Sequence, residues 1–261
     1  MVVVSGLPAP KGVAGVIVRR WDRDEPRPKD ALVFVDQEGG TVKAFPALPP
    51  WKAASEYSTG QEAFAAGRET AAALRAEGVH VDYAPVVDAR DGPLGSRHFP
   101  TQAIGVAFGR GLIAGGAGAC AKHFPGLGTT PESTDEARVE GRVRPWEVRG
   151  FSVRTFPCVM VSHAIYPSLG TRRASLEPKT YRLLRAQGFR GVAITDSLGV
   201  LGSPYAPFWA RLAIRAGADL LLYTSARDAR RAIRALVPLA AAGELDAHVT
   251  RVLRFRRSLV R

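Results

Sequence analysis

The 261-residue sequence contains no asparagine, two cysteines, two methionines and few glutamines, and it uses arginine far more than lysine. Such a composition fits a thermophilic source cleared of heat-labile side chains, and equally a GC-rich genome. Long apolar runs are also absent. None approaches the roughly 18 residues that a spanning helix needs, and Met1–Ser5 lacks the charged start and apolar stretch of a signal peptide, so the expected address is cytoplasmic, with no membrane partner. The two cysteines, Cys120 and Cys158, have no metal-binding or redox spacing, and each lies in an apolar stretch. They read as buried, inert thiols that pack as small hydrophobes. A shortage of acid leaves a formal charge of +12. The arginines of the C-terminal third nevertheless recur at helical spacing beside apolar pairs such as Ala232-Ile233 and Val252-Leu253, which describes solvated helix faces rather than a nucleic-acid site.

What is present is a regular succession of short β-branched runs. Eight of them, at 2–4, 13–18, 31–35, 79–87, 119–123, 158–163, 191–195 and 219–223, read as strands. From the fourth onward they alternate with Ala/Arg/Leu-rich helical segments such as 61–77 and 179–187, and two more helices at 226–242 and 244–260 follow the last strand. That is the βαβα order of a parallel barrel, and about 250 residues is the usual size of one. The α/β fold expected is thus one domain over residues 1–261, a (β/α)8-type TIM barrel shortened at the N-terminus. Only eight residues separate Val4 from Val13, and the Pro-rich stretch from Arg19 to Asp30 has no apolar stripe. Both argue that helices are missing between strands 1, 2 and 3, and that strand 2 runs antiparallel to its neighbours, since parallel crossovers usually take a dozen residues or more.

In such barrels the reactive side chains stand at the C-terminal ends of the strands. Here those ends carry Asp36, Asp88, Lys122-His123, His163 and Asp196. Carboxylates, a lysine and histidines on one rim suit a polyhydroxylated ligand. The His and Asp residues lie on separate strands without zinc spacing, so neither a metal nor any other cofactor is expected. Asp88 reads as structural, holding the loop at Asp91-Gly92.

Six ordered segments, Asp36-Gln-Glu-Gly-Gly40, Tyr83-Ala-Pro-Val-Val-Asp88, Gly95-Ser-Arg-His-Phe99, Lys122-His-Phe-Pro-Gly126, Val161-Ser-His-Ala-Ile-Tyr-Pro167 and Gly191-Val-Ala-Ile-Thr-Asp196, resemble the successive motifs of family 3 glycoside hydrolases, most of all the single-domain bacterial β-N-acetylhexosaminidases. The resemblance implies a retaining exo-β-glycosidase with a small carbohydrate substrate. It makes Asp196 the nucleophile, and Asp36, Arg97, Lys122 and His123 the grip on the terminal sugar; His163 joins them as a substrate-binding candidate.

The chain departs from that pattern where an acid/base is needed. In the hexosaminidases the loop after Lys-His-Phe-Pro-Gly-His-Gly carries an Asp-Ser-His triplet; here Ser133-Thr-Asp135 takes its place and Leu127 replaces the second histidine. Asp135 is the expected proton donor, with Glu132 and Glu136 as substitutes on the same loop. Ala44 stands where the family has an arginine. The loss of the triplet also leaves open a non-hydrolytic sugar-binding or regulatory barrel.

Overall fold

A computed structural model describes residues 1–260. In chain order the strands are β1 (Val2–Ser5), β2 (Gly15–Val18), β3 (Leu32–Val35), β4 (Gln37–Gly39), β5 (Val42–Lys43), β6 (Val81–Asp82), β7 (Gly118–Phe124), β8 (Cys158–Val161), β9 (Val192–Ser197) and β10 (Leu220–Tyr223). β4 and β5 form a small antiparallel hairpin; the other eight close a barrel in the order β1-β10-β9-β8-β7-β6-β3-β2. Its strands are apolar on both faces because both faces are buried. Val3, Ile17, Phe34, Tyr83, Cys120, Met160, Ile194 and Leu222 fill one core cluster, while their neighbours Val4, Val16, Val35, Ala121, Val159, Ala193 and Leu221 belong to another that includes the surrounding helices. This alternation is the two-residue period of a strand, inside the barrel and outside it.

The helices are α1 (Gly60–Ala76), α2 (Gln102–Ala114), α3 (Pro145–Gly150), α4 (Pro178–Ala186), α5 (Ala206–Ala216), α6 (Ala226–Ala241) and α7 (Asp246–Leu259). Thr59, Thr101 and Ser225 start α1, α2 and α6 by accepting a backbone N–H with their hydroxyls, which satisfies donors a helix start leaves open. α1 and α2 pack backbone to backbone: a Cβ on Gly67 would lie 2.1 Å from the Phe108 carbonyl oxygen, and one on Gly111 would lie 2.1 Å from that of Phe64. α7 brings Val252 and Phe255 into the same cluster as the barrel interior and so plugs one end of it.

No helix covers the connections from β1 to β2 or from β2 to β3, as the sequence leads one to expect. Strand 2, however, is not antiparallel: β2 pairs in parallel with both β1 and β3. The reason is length. β1 has four residues, so its connection must return only about 13 Å, a distance the stretch from Gly6 to Ala14 covers without a helix. Leu7, Ala9 and Val13 of that stretch pack against the outer core in the position a helix would otherwise fill. The next connection is held by Asp22, whose carboxylate accepts the backbone N–H groups of Leu7 and Arg19.

The cysteines are buried as expected but are not free thiols. Cys120 and Cys158 are register partners on neighbouring strands β7 and β8, and they form a disulfide. A separation of 38 residues gives no hint of this pairing; barrel register creates it.

Candidate active site

The C-terminal ends of the strands surround a cavity of about 360 Å3 lined by Asp36, Arg97, Lys122, His123, Asp135 and Asp196, together with Arg19, Glu38, Tyr83, Leu127, Met160 and others. Six of the seven residues picked from the sequence therefore meet around one space. Half of that space is a tight charge network. Lys122 Nζ donates to Asp36 Oδ1 at 2.9 Å and lies 2.6 Å from Glu38 Oε1. Arg97 holds the same Glu38 through two bonds, Nε to Oε2 at 2.8 Å and Nη2 to Oε1 at 2.9 Å, the paired geometry that suits a guanidinium. Arg19 Nη1 donates to Asp36 Oδ2 at 2.8 Å, and its Nε donates to Ser5 Oγ at 2.6 Å.

Lys122 is only 3% exposed and Glu38 4%, so these charges survive burial because they compensate one another. Burial pushes the carboxyls of Asp36 and Glu38 up, but Lys122 with Arg19 at the first, and Lys122 with Arg97 at the second, outweigh it and hold both below their ordinary values. Lys122 in turn stays charged: burial acts to lower its pKa, and the two carboxylates raise it by more. Beneath the network Asp82 is fully buried. Burial pushes its carboxyl up to about 8; one oxygen accepts the Gln37 N–H at 3.0 Å and the other has no partner, as befits a neutral acid.

The opposite half is looser. Asp196, on β9, accepts the N–H of Ser197 at 2.7 Å through Oδ1. Asp135 lies at the exposed rim on the loop after β7, and its backbone N–H donates to Ser133 Oγ at 3.2 Å. Partial desolvation first, and then the negative charge of Asp196, raise the pKa of Asp135, which favours the protonated form of that carboxyl. Among the described residues no cluster of three or more metal-ligating groups occurs.

One residue departs from its expected role, and a second keeps its role through other partners. His163 does not line the cavity: it is 0% exposed, its Nε2–H donates to the Ser197 carbonyl at 2.9 Å, and its Nδ1 is 2.6 Å from Ser175 Oγ. Burial lowers its pKa and keeps the ring neutral. It fixes the backbone beside Asp196 instead of meeting a ligand. Asp88 is structural, but through different partners: it accepts the N–H of His123 at 3.0 Å and of Gly128 at 3.2 Å, while Gly92 is held by Asp91. His123 Nδ1 lies 3.2 Å from Asp88, and with that nitrogen donating, Nε2 is left to the cavity.

Arg19, Glu38 and Tyr83 were missed. Glu38 sits inside the Asp36 to Gly40 run, and Tyr83 immediately follows β6. Arg19 follows β2, where the end-of-strand rule would have found it had that strand been given its parallel direction. The Tyr83 hydroxyl is buried without a partner on the cavity lining. Arg19 also supplies Asp36 with a second cation, in a chain where Ala44 replaces the arginine of the hexosaminidase pattern.

A parallel barrel whose strand ends carry carboxylates, arginines and a lysine around one small cavity defines a glycoside-hydrolase-type scaffold. Residues 16–255 match the model of the glycosyl hydrolase family 3 N terminal domain, and the chain belongs to that family. It is 33% identical over 228 residues to a β-hexosaminidase of Stenotrophomonas maltophilia, covering 75% of this chain and 67% of the relative. It is 34% identical over 205 residues to one of Xanthomonas campestris pv. campestris, of which it spans 61%. Among solved structures, a family 3 β-N-acetylglucosaminidase from a Paenibacillus species superposes with a TM-score of 0.85 at 25% identity, covering 98% of this chain and 61% of that one. A family 3 glycosyl hydrolase from Mycobacterium smegmatis gives 0.85 at 27%, covering 97% and 93%.

Proposed function

We propose that the protein is a retaining exo-β-glycosidase that removes terminal β-linked N-acetylhexosamine. The observation that carries this reading is the presence of Asp196 and Asp135, the latter with its pKa raised, in one cavity with the Asp36, Glu38, Lys122 and Arg97 network. The hexosaminidase names of the relatives support the N-acetyl sugar.

In the first step the terminal sugar lies against Tyr83 and Met160, with hydroxyls meeting Asp36, Lys122, Arg97 and Nε2 of His123. Protonated Asp135 gives its proton to the glycosidic oxygen as Asp196 attacks the anomeric carbon; the C–O bond breaks, the aglycone leaves as an alcohol, and a glycosyl ester remains on Asp196. In the second step the Asp135 carboxylate takes a proton from water, whose oxygen attacks the same carbon and frees Asp196. The Ser197 N–H held on Oδ1 leaves the other oxygen of Asp196 for attack. A retaining pair works at about 5 to 5.5 Å, so the rim loop must bring Asp135 to that separation.

The test is hydrolysis of aryl β-N-acetylglucosaminide, glucoside and xyloside by wild type and Asp196→Ala. The N-acetylglucosaminide should be preferred, the variant should lose about 10⁴-fold or more in kcat, and a fluorinated glycoside should add one sugar mass at Asp196. Sugar binding with no turnover, even of these activated substrates, would instead establish the non-hydrolytic reading. Among the described residues no helix is long and apolar enough to cross a membrane. For the address, the Cys120–Cys158 bond favours an oxidising compartment over the cytoplasm, where thiols are kept reduced; thiol titration of natively purified protein tests that choice.

A further inference from the structure

A second cavity, of about 590 Å3, shares no lining residue with the catalytic one. It lies between α2 and α3. Gln102, Val106 and Arg110, spaced four apart on one face of α2, line it together with Trp146 of α3. The two cavities are linked through Asp88: Ala89 lines this one, and the Asp88 carboxylate accepts the N–H of His123, which lines the other.

α3 has only six residues, too few to be stable alone, yet it is pinned at several points. The buried Glu147 carboxylate pairs with Arg90 Nε at 2.6 Å and accepts the Arg144 N–H at 2.5 Å, and the Glu147 carbonyl accepts from Gln102 at 2.9 Å. What this holds in place is Trp146. That ring stays 52% exposed, and its indole N–H has no partner among the described residues, whereas those of Trp51 and Trp209 each have one. The chain then leaves α3 through Ser152, which also lines the cavity and is the one non-glycine residue among those described with a left-handed backbone, at φ 52°.

The polar groups here are only half used. Both amide N–H groups of Gln102 are committed, to the Val87 and Glu147 carbonyls at 2.9 Å each, which leaves Oε1 as an acceptor. The Thr101 hydroxyl accepts the Ile104 N–H at 3.3 Å and keeps its own proton to donate. Arg110 is exposed and has no ion pair among the described residues, and no aspartate or glutamate lines the cavity. A flat apolar ring, one acceptor and two donors match the needs of an acetamido sugar: pyranose C–H groups for the indole, an amide N–H for Oε1, an amide oxygen for Thr101 and Arg110.

We propose that this cavity is a second, non-catalytic carbohydrate site that holds an N-acetylated sugar of a longer chain, its ring on Trp146 and its acetamido group between Gln102 and Arg110. The proposal deepens the hydrolase reading and rests on it for the link to catalysis: the substrate becomes a polymer or long oligomer, and capture at one site raises its effective concentration at the other.

Affinity electrophoresis of the full chain tests this, in gels holding either glycol chitin, a soluble polymer of N-acetylglucosamine, or hydroxyethylcellulose, its glucose counterpart. Both polymers are uncharged, so the formal charge of +12 does not favour either. Glycol chitin should retard the chain and hydroxyethylcellulose should not. Trp146→Ala should weaken the affinity for glycol chitin about tenfold and Arg110→Ala about threefold, while the denaturation midpoint and kcat/KM on an aryl N-acetylglucosaminide stay those of wild type. Retardation that survives Trp146→Ala belongs to the catalytic cavity and overturns the proposal, as does equal retardation by both polymers or none by either. Should Trp146→Ala lose its fold, Arg110→Ala decides: unchanged retardation then overturns the proposal. Retardation does not depend on turnover. A chain held by glycol chitin that cuts no aryl glycoside would lose the hydrolase reading and keep this site, and a chain that cuts without being held would lose only this site.

Discussion

The two halves of the catalytic cavity are built by different rules. On the side of β3 and β7, Asp36, Glu38, Lys122, Arg97 and Arg19 are each committed to a partner, buried or half-buried, and set before any ligand arrives. On the other side, Asp196 has a single backbone bond and Asp135 rides on an exposed rim loop, so the proposed proton donor and nucleophile are held by far fewer contacts. The contrast teaches that one side of the cavity is set by folding alone, whereas the proposed chemistry falls to the side that folding constrains least.

Four substitutions would break or sharpen that contrast. Lys122→Met strikes the preformed half hardest, because it leaves Asp36 and Glu38 without their shared cation; a loss of about 3–5 kcal/mol is expected from urea denaturation. Stability near that of wild type would show that the network is not what holds this side. Asp135→Asn touches the loosely held half only. It should leave the denaturation midpoint in place and cost about 10²- to 10³-fold in kcat/KM on substrates with poor leaving groups, with little loss on activated aryl glycosides.

The same variant has a pH signature. The acid must be protonated to act, and the raised pKa of Asp135 keeps it so to higher pH than an ordinary carboxyl; the alkaline limb of kcat/KM should therefore report its ionisation and vanish in Asp135→Asn. If the limb persists, Glu132 or Glu136 becomes the donor to test.

Arg19→Met is milder, since Asp36 keeps Lys122. KM should rise about five- to tenfold with little change in kcat, and an unchanged KM would mean that Arg19 serves β2 alone. The smallest effect at neutral pH belongs to Asp82→Asn. The folded pKa of Asp82 is raised from 3.8 to about 8, so the native state holds a proton that the unfolded chain has already lost between those values, and stability falls as pH rises through that range. The variant should flatten this fall, visible as a smaller drop in denaturation midpoint between pH 5 and pH 8.

Much of this was legible in the order of residues. Barrel strands are buried on both faces and read as nearly unbroken apolar runs, so all eight were found, and the polar residue ending each run marked the rim. The failures share one cause, which is that direction and neighbourhood are tertiary properties. Strand 2 was turned over because a parallel return without a helix works only when the strand is very short, and Arg19 was lost with it. His163 ends its strand as Asp196 does, yet its ring turns into the protein toward Ser175 and the Ser197 carbonyl. Nothing in the spacing of Cys120 and Cys158 says that β7 and β8 place them side by side.

That last pairing makes the segment between the cysteines a closed covalent ring, and the whole loop bearing Asp135 lies within it. The ring limits how far the loop's two ends can part even in the unfolded chain, a restriction worth on the order of 4 kcal/mol for a closure of this length in the chain-entropy view. A protease that nicked the exposed rim near Glu132 would thus leave one molecule with two new ends, still joined through the barrel's interior until a reductant reached the sulfurs.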